Sequence, residues 1–355
     1  MGRKIKKLGN DMAAYDGIFD GLGLREWCDV GKEDAPMSMA QLLAQSGGND
    51  AVAEEGGLPF PSLDVLHEAC GRIGQTRDLT AGIEQGFLSI RSELKFVLDP
   101  ITQPLSWMLD GTLWVFQSAP WWLMIPALLL ISWLVSRSKS VTAFVGLVLL
   151  FFGFIDHYEV AMQTLAIVFV CTGLSVLFGV PIGIGMSKSD TAQRTIVPIL
   201  DLLQTLPTFV YLIPLIFLFS VTESKLYGIA IILYAIVPVI RLTDLGIRLV
   251  DKDVIEAANA FGLTAWQKLS RVELPLALPN IMAGVNQTIM MSLAMVVIAS
   301  LVSAPGLGVL VLRGIRNLEL GVGIVAGLGI VLLAVILDRV SKAALARVDT
   351  GRKEH

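Results

Sequence analysis

EAANAFGLTAWQKLSRVELP, residues Glu256 to Pro275, is a polar stretch set between apolar ones. It contains two acids, one lysine and one arginine. The run that overlaps its end, Leu274–Leu312, contains no charged residue at all. Charged side chains are costly inside a bilayer, so this stretch is expected to form a structure of its own outside the apolar spans.

The polar stretch has the pattern of two short helices joined at a glycine. Asp253 and Glu256, and then Thr264 and Gln267, have the three-residue spacing of a capping box. The first helix should end at Gly262, because glycine accepts the left-handed backbone conformation. Apolar residues follow one face of each predicted helix: Val254, Ala257, Ala258 and Phe261, then Trp266, Leu269 and Val272. The alternative is an ordinary amphipathic connector resting on the bilayer.

Composition indicates a membrane protein. Hydrophobic residues make up 54% and charged residues 16% of the 355 residues, and the mean hydropathy is +0.69. Soluble domains carry about 25% charged residues. Residues 1–100 hold 16 of the 31 acidic residues, so the net charge of −4 belongs to the N-terminal part. These counts exclude a strongly basic nucleic-acid-binding protein.

Charge-free runs predict an all-α bundle with about seven transmembrane spans. A spanning helix needs about 20 mostly apolar residues. Leu226–Ile240 reaches that length if the helix continues past Arg241, whose side chain can snorkel to the interface. The longest run, Leu274–Leu312, breaks at APGLG, Ala304–Gly308. The predicted runs are Ala119–Ser136, Val141–Ile155, Val160–Ser187, Leu202–Thr222, Leu226–Ile240, Leu274–Leu312 and Leu320–Leu337.

Lysine and arginine in the connections predict the orientation. If residues 251–275 are cytoplasmic, that side carries 14 basic residues after residue 118 and the opposite side carries three. This bias puts the N-terminal part outside if the first two predicted spans both cross. The basic start MGRKIKK opposes that placement, so the side of residues 1–82 stays open.

The chain divides into four predicted parts. Residues 1–82 are an acidic, glycine-rich and weakly ordered tail. Residues 83–118 form one or two amphipathic helices, which lie along the membrane surface or pack against the bundle as a collar. Residues 119–345 form the transmembrane domain, and residues 346–355 form a C-terminal tail.

Three groups of residues in the polar stretch resemble the EAA signature of permease subunits of binding-protein-dependent ABC importers. They are Glu256-Ala257-Ala258, then Gly262 after three residues, then Leu274-Pro275 after eleven more. Four further segments resemble the permeases of glycine betaine/proline betaine uptake systems: LLQTLPTFVYLIPLIFLF (Leu202–Phe219), PVIRLTDLGI (Pro238–Ile247), MAGVNQTIMMSLAMVVIAS (Met282–Ser300) and GLGVLVLRGI (Gly306–Ile315). The resemblance covers roughly residues 85–345.

The resemblance implies the permease of a type I importer in the bacterial inner membrane, with betaine-like trimethylammonium solutes as its cargo. The implied partners are a second copy of the chain, two cytosolic ATPase subunits and an extracytoplasmic binding protein. Glu256, Ala257 and Ala258 would form the face that docks on the ATPase. Gly262 would form the turn and Leu274-Pro275 the return to the membrane. Choline, carnitine and trimethylamine N-oxide are alternative cargoes.

Polar and aromatic residues inside the predicted spans mark a path for such a solute. Aromatic faces attract quaternary ammonium groups, and amides donate hydrogen bonds to a carboxylate. The candidates are Phe209, Tyr211, Asn286, Gln287, Thr288, Met290 and Met291. Hydrogen bonding between helices is the alternative for Asn286 and Gln287, and packing is favoured for the methionines.

Two further pairings are expected from position along the chain. Asp201 and Arg241 lie near the same end of neighbouring predicted spans, so we expect a structural ion pair between them. Gly179–Gly183 and Gly323–Gly327 have the G-x-x-x-G spacing that suits close contact between helices, and they weakly indicate a dimer face.

The sequence has no nucleotide or catalytic signature. It lacks G-x-x-x-x-G-K-[ST], so ATP and Mg²⁺ are expected on the partner ATPase, with no cofactor in this chain. Three scattered histidines predict neither a metal site nor an enzyme. Cys28 and Cys70 could pair in an oxidising space, but we favour unpaired thiols. A secondary transporter and a membrane sensor remain the alternatives in other functional classes.

Overall fold

The computed structural model describes residues 15, 17–24, 70 and 76–353, and within them all regular structure is helical. The chain divides into two compact units, Met1–Ser92 and Glu93–His355. In the first unit, residues 17–21 are helical and the rings of Tyr15 and Phe19 stack with centroids 6.2 Å apart. Cys70 is buried and disulfide-bonded, so the expectation of unpaired thiols is wrong for this residue; Cys28 lies outside the described residues.

Twelve helices follow from residue 76, and we number them in chain order. They are α1 Thr76–Ser118, α2 Trp121–Ser136, α3 Lys139–Phe154, α4 Tyr158–Lys188, α5 Asp190–Thr205, α6 Leu212–Leu218, α7 Ser224–Arg248, α8 Lys252–Ala260, α9 Ala265–Lys268, α10 Leu274–Ala299, α11 Leu307–Arg316 and α12 Leu320–Lys353. A π-helical turn, Leu269–Glu273, joins α9 to α10, and a 3₁₀ turn, Ser300–Val302, follows α10.

Four of the described helical segments are long and apolar enough to cross a membrane, and a bent pair raises this to five. The four are Tyr158–Lys188, Ser224–Arg248, Ala265–Val302 and Leu320–Ala346. The bent pair joins Thr80–Ser118 to Trp121–Ser136 at an angle of 116°. The prediction of about seven spans counted two further apolar runs. One of them is the shorter apolar helix Lys139–Phe154.

The other run, Leu202–Thr222, is not a helix that crosses the bilayer. Its first residues are the end of α5, Leu206 is extended, and only the seven-residue α6 follows the turn. Pro207 explains the break, since proline disfavours the helical conformation of the residue before it. The charge-free run therefore forms a broken segment between α5 and α7.

Glycines set the centre of the bundle, where α7 lies between α4 and α10. A β-carbon added to Gly179 of α4 would lie 2.4 Å from a side-chain atom of Val239, and one added to Gly183 would lie 2.6 Å from Thr243. On the other side, a β-carbon added to Gly284 of α10 would lie 3.0 Å from the Val239 backbone. The first G-x-x-x-G pair is therefore used inside one chain, and its assignment to a dimer face is wrong.

The second G-x-x-x-G pair is used differently. A β-carbon on Gly314 would lie 2.6 Å from the Gly323 backbone, so α11 and α12 approach closely there. Gly327 has open space around it, with no atom within 4 Å of an added β-carbon. Only one member of this pair supports a helix contact within the chain.

The part of α1 in the second unit is attached to the beginning of α7. Lys225 is buried and its ammonium lies 2.7 Å from the Asp99 carboxylate and 2.9 Å from Glu223. Ser224 donates a hydrogen bond to Asp110, and Leu109 packs where Gly228 leaves room. These contacts hold Asp99, Leu109 and Asp110 of α1 against the beginning of α7.

Candidate functional site: the EAA element and the polar groups of the bundle

The EAA element, residues 251–275, begins at a helix cap two residues before the predicted one. The Asp251 side chain accepts a hydrogen bond from the Asp253 backbone N–H at 2.9 Å, so Asp251 is the N-cap of α8. Asp253 instead lies in the first turn, where its charge is favourable at the positive end of the helix dipole. The expected capping box at Asp253 and Glu256 is therefore wrong in register.

The predicted turn and second helix are present. Gly262 has φ +72°, and the backbone N–H of Leu263 donates to Ala258 C=O at 3.2 Å, which is the Schellman arrangement at a helix end. Thr264 caps α9 through a full capping box with Gln267, with bonds of 3.3 Å and 3.0 Å. Lys268 also donates to the Asn259 side chain at 3.0 Å and ties the two helices together.

The outer surface of the EAA element is partly apolar. Glu256 and Ala257 are exposed, whereas Ala258 is buried, so the three residues do not share one surface. Two large side chains beyond the EAA triplet dominate the exposed area: Phe261 is 86% exposed and Trp266 is 73% exposed. Exposed apolar patches on otherwise packed elements typically mark interaction sites.

The root of the EAA element is fixed by ion pairs that the sequence did not reveal. Glu273 is buried and forms an ion pair with Lys188 at the end of α4. Arg248 lies 2.8 Å from Asp190 and 2.9 Å from Asp244, which are on α5 and α7. Leu274 and Pro275 begin α10, which continues directly from the π-helical turn.

A cavity of about 400 Å³ lies between α10 and α12. Asn286, Gln287 and Met290, three of the predicted path residues, line it together with Ser341 and Lys342. The Asn286 amide donates to Asp338 at 2.6 Å and accepts from Ser341 at 3.1 Å, so both ends of this amide join α10 to α12. Gln287 is exposed and lines the cavity.

The other predicted path residues lie apart from this cavity. Thr288 is buried, and its hydroxyl has no hydrogen-bond partner among the described residues. Phe209 is 57% exposed in the turn between α5 and α6, whereas Tyr211 is buried. The structure therefore brings three of the seven candidates together at the cavity, and Met291, like Thr288, Phe209 and Tyr211, is not part of its lining.

Sequence reasoning missed Asp338. Its carboxylate accepts from Asn286 at 2.6 Å and pairs with Lys342 at 2.9 Å. The sequence did contain a signal for Asp338, because this acid ends the last charge-free run, and intramembrane acids are usually functional or paired.

The expected pair of Asp201 and Arg241 is present. No group of three metal-ligating side chains occurs in the described part of the chain.

Known proteins are similar in sequence to this chain over most of its length. The profile of the family "Binding-protein-dependent transport system inner membrane component" matches residues 175–350. The glycine betaine/proline betaine transport system permease protein ProW of Escherichia coli is 40% identical over 286 residues, which are 80% of this chain and 78% of ProW. The glycine betaine/carnitine transport permease protein GbuB of Listeria monocytogenes is 40% identical over 249 residues, 68% of this chain and 87% of GbuB.

A solved structure of the MetNI methionine ABC transporter, in an inward-facing conformation, is also similar. It is 22% identical, with a TM-score of 0.47, over 55% of this chain and 95% of the matched chain.

The helical bundle with its EAA element defines a multi-pass membrane permease rather than an enzyme. The chain belongs to the family of inner-membrane components of binding-protein-dependent transport systems. An ATPase and a substrate-binding protein are the partners that this membership implies.

Proposed function

We propose that this permease imports glycine betaine or a closely related trimethylammonium solute, driven by ATP hydrolysis on partner subunits. Relatives named for glycine betaine transport, 40% identical over most of their own length, support this cargo. Two copies of the chain would form the pore, with two ATPase subunits below it. This chain would hold no cofactor itself, since ATP and Mg²⁺ would bind to the ATPases.

The observation that carries the proposal is the exposed apolar surface of the EAA element. Phe261 and Trp266 are mostly exposed although both helices of the element are capped and tied to each other. A rigid element with exposed aromatic side chains fits a groove in a partner protein, where aromatic residues often dominate binding. The ATPase is that partner in this proposal, and Glu256 and Ala257 would lie at the edge of the contact.

The connection from the EAA element to the bundle suits transmission of movement. The π-helical turn Leu269–Glu273 continues directly into α10, and the Lys188–Glu273 ion pair links it to α4. A displacement of the element by the closing ATPases would therefore move two spanning helices together. The ATPase contact must differ in free energy between nucleotide states, because otherwise no conformational population shifts.

Two of the predicted path residues keep their proposed role. Gln287 and Met290 line the cavity between α10 and α12 and have surface free for a solute. Asn286 is engaged at both ends of its amide, so we assign it to holding these helices together.

Reconstitution tests the transport class. The permease, its ATPase and its binding protein, placed together in liposomes, should take up labelled glycine betaine only when ATP is supplied on the ATPase side. Glu256→Lys should still insert in the membrane and should lose ATP-driven uptake. Uptake by the permease alone, driven by an ion gradient, would instead establish a secondary transporter. Solute binding without flux would support a sensor.

Carnitine is the second candidate cargo, because the name of the relative from Listeria monocytogenes includes it. Competition in the same liposomes decides between the two solutes. If an excess of carnitine abolishes labelled glycine betaine uptake and is itself accumulated, both solutes are cargo. If carnitine has no effect, glycine betaine is the cargo of the two.

A further inference from the structure

The turn between α11 and α12 carries an exposed apolar surface, and we call residues 313–320 the outer tip. Leu318 at the turn is 89% exposed, and Ile315 and Leu320 on either side of it are also mostly exposed. Large apolar side chains that stay exposed together on packed helices typically mark an interaction site. The outer tip is therefore a candidate docking surface.

The outer tip points away from the EAA element. Asn286 of α10 donates to Asp338 of α12 at 2.6 Å, and nine residues earlier in α12 a β-carbon added to Gly329 would lie 3.3 Å from Leu307. Leu307 follows the far end of α10, so α12 approaches that end as its residue numbers fall. The start of α12, and the outer tip with it, therefore lies at the end of the bundle that is remote from the EAA element.

This end of the bundle lies beyond the thickness of a hydrocarbon layer. At a rise of about 1.5 Å per residue, Asn286 is about 18 Å along α10 from Leu274, and Leu320 is about 27 Å along α12 from Asp338. The outer tip is therefore about 45 Å from the root of the EAA element, or about 42 Å for helices tilted by about 20°. Since the hydrocarbon core is about 30 Å thick, the tip reaches the outer edge of the headgroup layer.

Contacts at both ends of α11 hold the outer tip in place. The Thr164 hydroxyl accepts a hydrogen bond from the Leu307 backbone N–H at 2.9 Å and so caps the start of the helix. Near the other end, a β-carbon added to Gly314 would lie 2.6 Å from the backbone of Gly323, so α11 and α12 are in close contact. A partner therefore meets a preformed surface and does not have to order it on binding.

One cation at the outer tip is free. The Glu319 carboxylate accepts hydrogen bonds from Arg313 and from the Asn317 amide, both at 3.1 Å, so the charge of Arg313 is balanced. Arg316 is exposed, and no carboxylate of the described residues pairs with it. This arginine lies on the side of the bundle that is poor in basic residues, and its charge is available to an acidic group of another molecule.

The exposed Leu318 has a strained backbone. Its φ of +58° is in the left-handed region, where the β-carbon of a leucine crowds the backbone and glycine or asparagine is the usual residue. Strained residues of this kind cluster at functional sites. Here the strain directs a large apolar side chain to the surface, where a second molecule can bury it.

We propose that the outer tip docks the substrate-binding protein of this transport system, with Leu318 entering an apolar hollow and Arg316 pairing with a carboxylate beside it. This inference rests on the proposed function, which places the ATPases at the EAA element and the binding protein at the opposite end. An apolar anchor beside an arginine is common among the residues that dominate protein interfaces. Lipid needs no particular side chain at the turn, so the strain at Leu318 favours a protein partner.

Leu318→Gly separates docking from stability, because it removes the side chain and relieves the backbone at the same position. Titration of fluorescent binding protein onto the permease–ATPase complex in nanodiscs should give a Kd about tenfold or more above that of the unaltered complex. The melting temperature should not fall. Ile324→Ala is the matched control, because Ile324 is 59% exposed in the second turn of α12, and its Kd should be unchanged. A Leu318→Gly Kd within threefold of the original would overturn the proposal.

Arg316→Gln tests the charged contact. The Kd of the unaltered complex should rise with salt concentration, because salt screens an exposed ion pair. The variant should bind more weakly at low salt and should show a smaller dependence of Kd on salt. Arg313→Gln is the matched control, since Arg313 already pairs within the chain. Equal salt dependence for Arg316→Gln and the unaltered complex would refute the pairing with a carboxylate of the binding protein.

A photoreactive group identifies the molecule at the tip directly. Leu318→benzoylphenylalanine, in the complete complex with its binding protein in nanodiscs, should form a cross-link to the binding protein on irradiation, and mass spectrometry should locate it. A cross-link only to lipid, to a second copy of the permease or to residues 1–75 would overturn the proposal, since the tip would then have another occupant.

This docking surface and the proposed function fail in different ways. An unaltered complex that binds no binding protein contradicts the importer class, and the docking surface fails with it. If the unaltered complex binds its binding protein and the Leu318 and Arg316 variants bind equally well, only the docking surface is wrong. A cargo other than glycine betaine leaves the docking measurements unaffected.

Discussion

Replacing Phe261 by alanine is expected to weaken ATPase docking while leaving the permease itself stable. Burying a phenylalanine side chain fully contributes about 1.5–3 kcal/mol. Because Phe261 is 86% exposed in this chain, nearly all of its surface is available to a partner. A loss of about 2 kcal/mol corresponds to an increase in Kd of about 30-fold. The stability of the permease should change by less than about 0.5 kcal/mol, as for most exposed positions.

Titration of fluorescent ATPase onto the permease in nanodiscs measures this Kd, and a thermal melt of the permease measures its stability. Phe169→Ala is the matched control, because Phe169 is 69% exposed but belongs to a spanning helix. Its Kd should equal that of the unaltered chain. A Phe261→Ala Kd within threefold of the original would show that the partner does not bury this side chain, and the docking argument would fail.

Three further variants test particular contacts. Gly262 has φ +72° with open space around an added β-carbon, so Gly262→Ala should strain only the backbone and lower the local stability of the EAA element by about 1–2 kcal/mol. Amide hydrogen exchange across the element should then become about 5- to 30-fold faster. An unchanged exchange rate contradicts this. Lys188→Met should lower the melting temperature of the permease, because it leaves the buried Glu273 carboxylate without its partner. Adding Glu273→Gln should restore much of the lost melting temperature. Equal melting temperatures for the single and double variants would refute the pairing. Gly183→Val should prevent α4 from packing on α7 and abolish accumulation of the permease, whereas Gly327→Ala should be tolerated. An immunoblot measures the amount of each variant in the membrane. More Gly183→Val than Gly327→Ala protein would contradict the packing described.

The EAA element was largely predictable because its signals are local. The Thr264–Gln267 capping box and the Gly262 turn depend on residues within four positions of each other, and both are present. The N-cap of α8 is Asp251 and not the predicted Asp253, because two acids two residues apart are nearly equal candidates for the cap. Sequence also could not show that Ala258 faces inward, because burial depends on the helices that pack beneath it.

Two polar contacts that join distant helices of the bundle were not predicted from the sequence, although the ion pair of Asp201 and Arg241 was. Glu273 and Lys188 are 85 positions apart, and Asn286 and Asp338 are 52 apart. The predicted spans are charge-free runs, and each run ends at a charged residue. A charged residue that pairs inside the bundle therefore looks like the end of a span. Asp338 and Glu273 were both overlooked for this reason. The role of Gly179 in the bundle likewise depends on which helix lies opposite.

The buried ammonium of Lys225 has a practical consequence for the beginning of the chain. Asp99 and Gln103 lie 2.7 Å and 3.4 Å from that ammonium, and both belong to α1. A shortened protein starting at Ala119 would lose both neighbours and leave a cation desolvated beside Glu223 alone. Deletions meant to find out what the N-terminal tail contributes should therefore leave Asp99 and Gln103 in place, so that any lost transport reflects the tail and not a broken contact between α1 and α7.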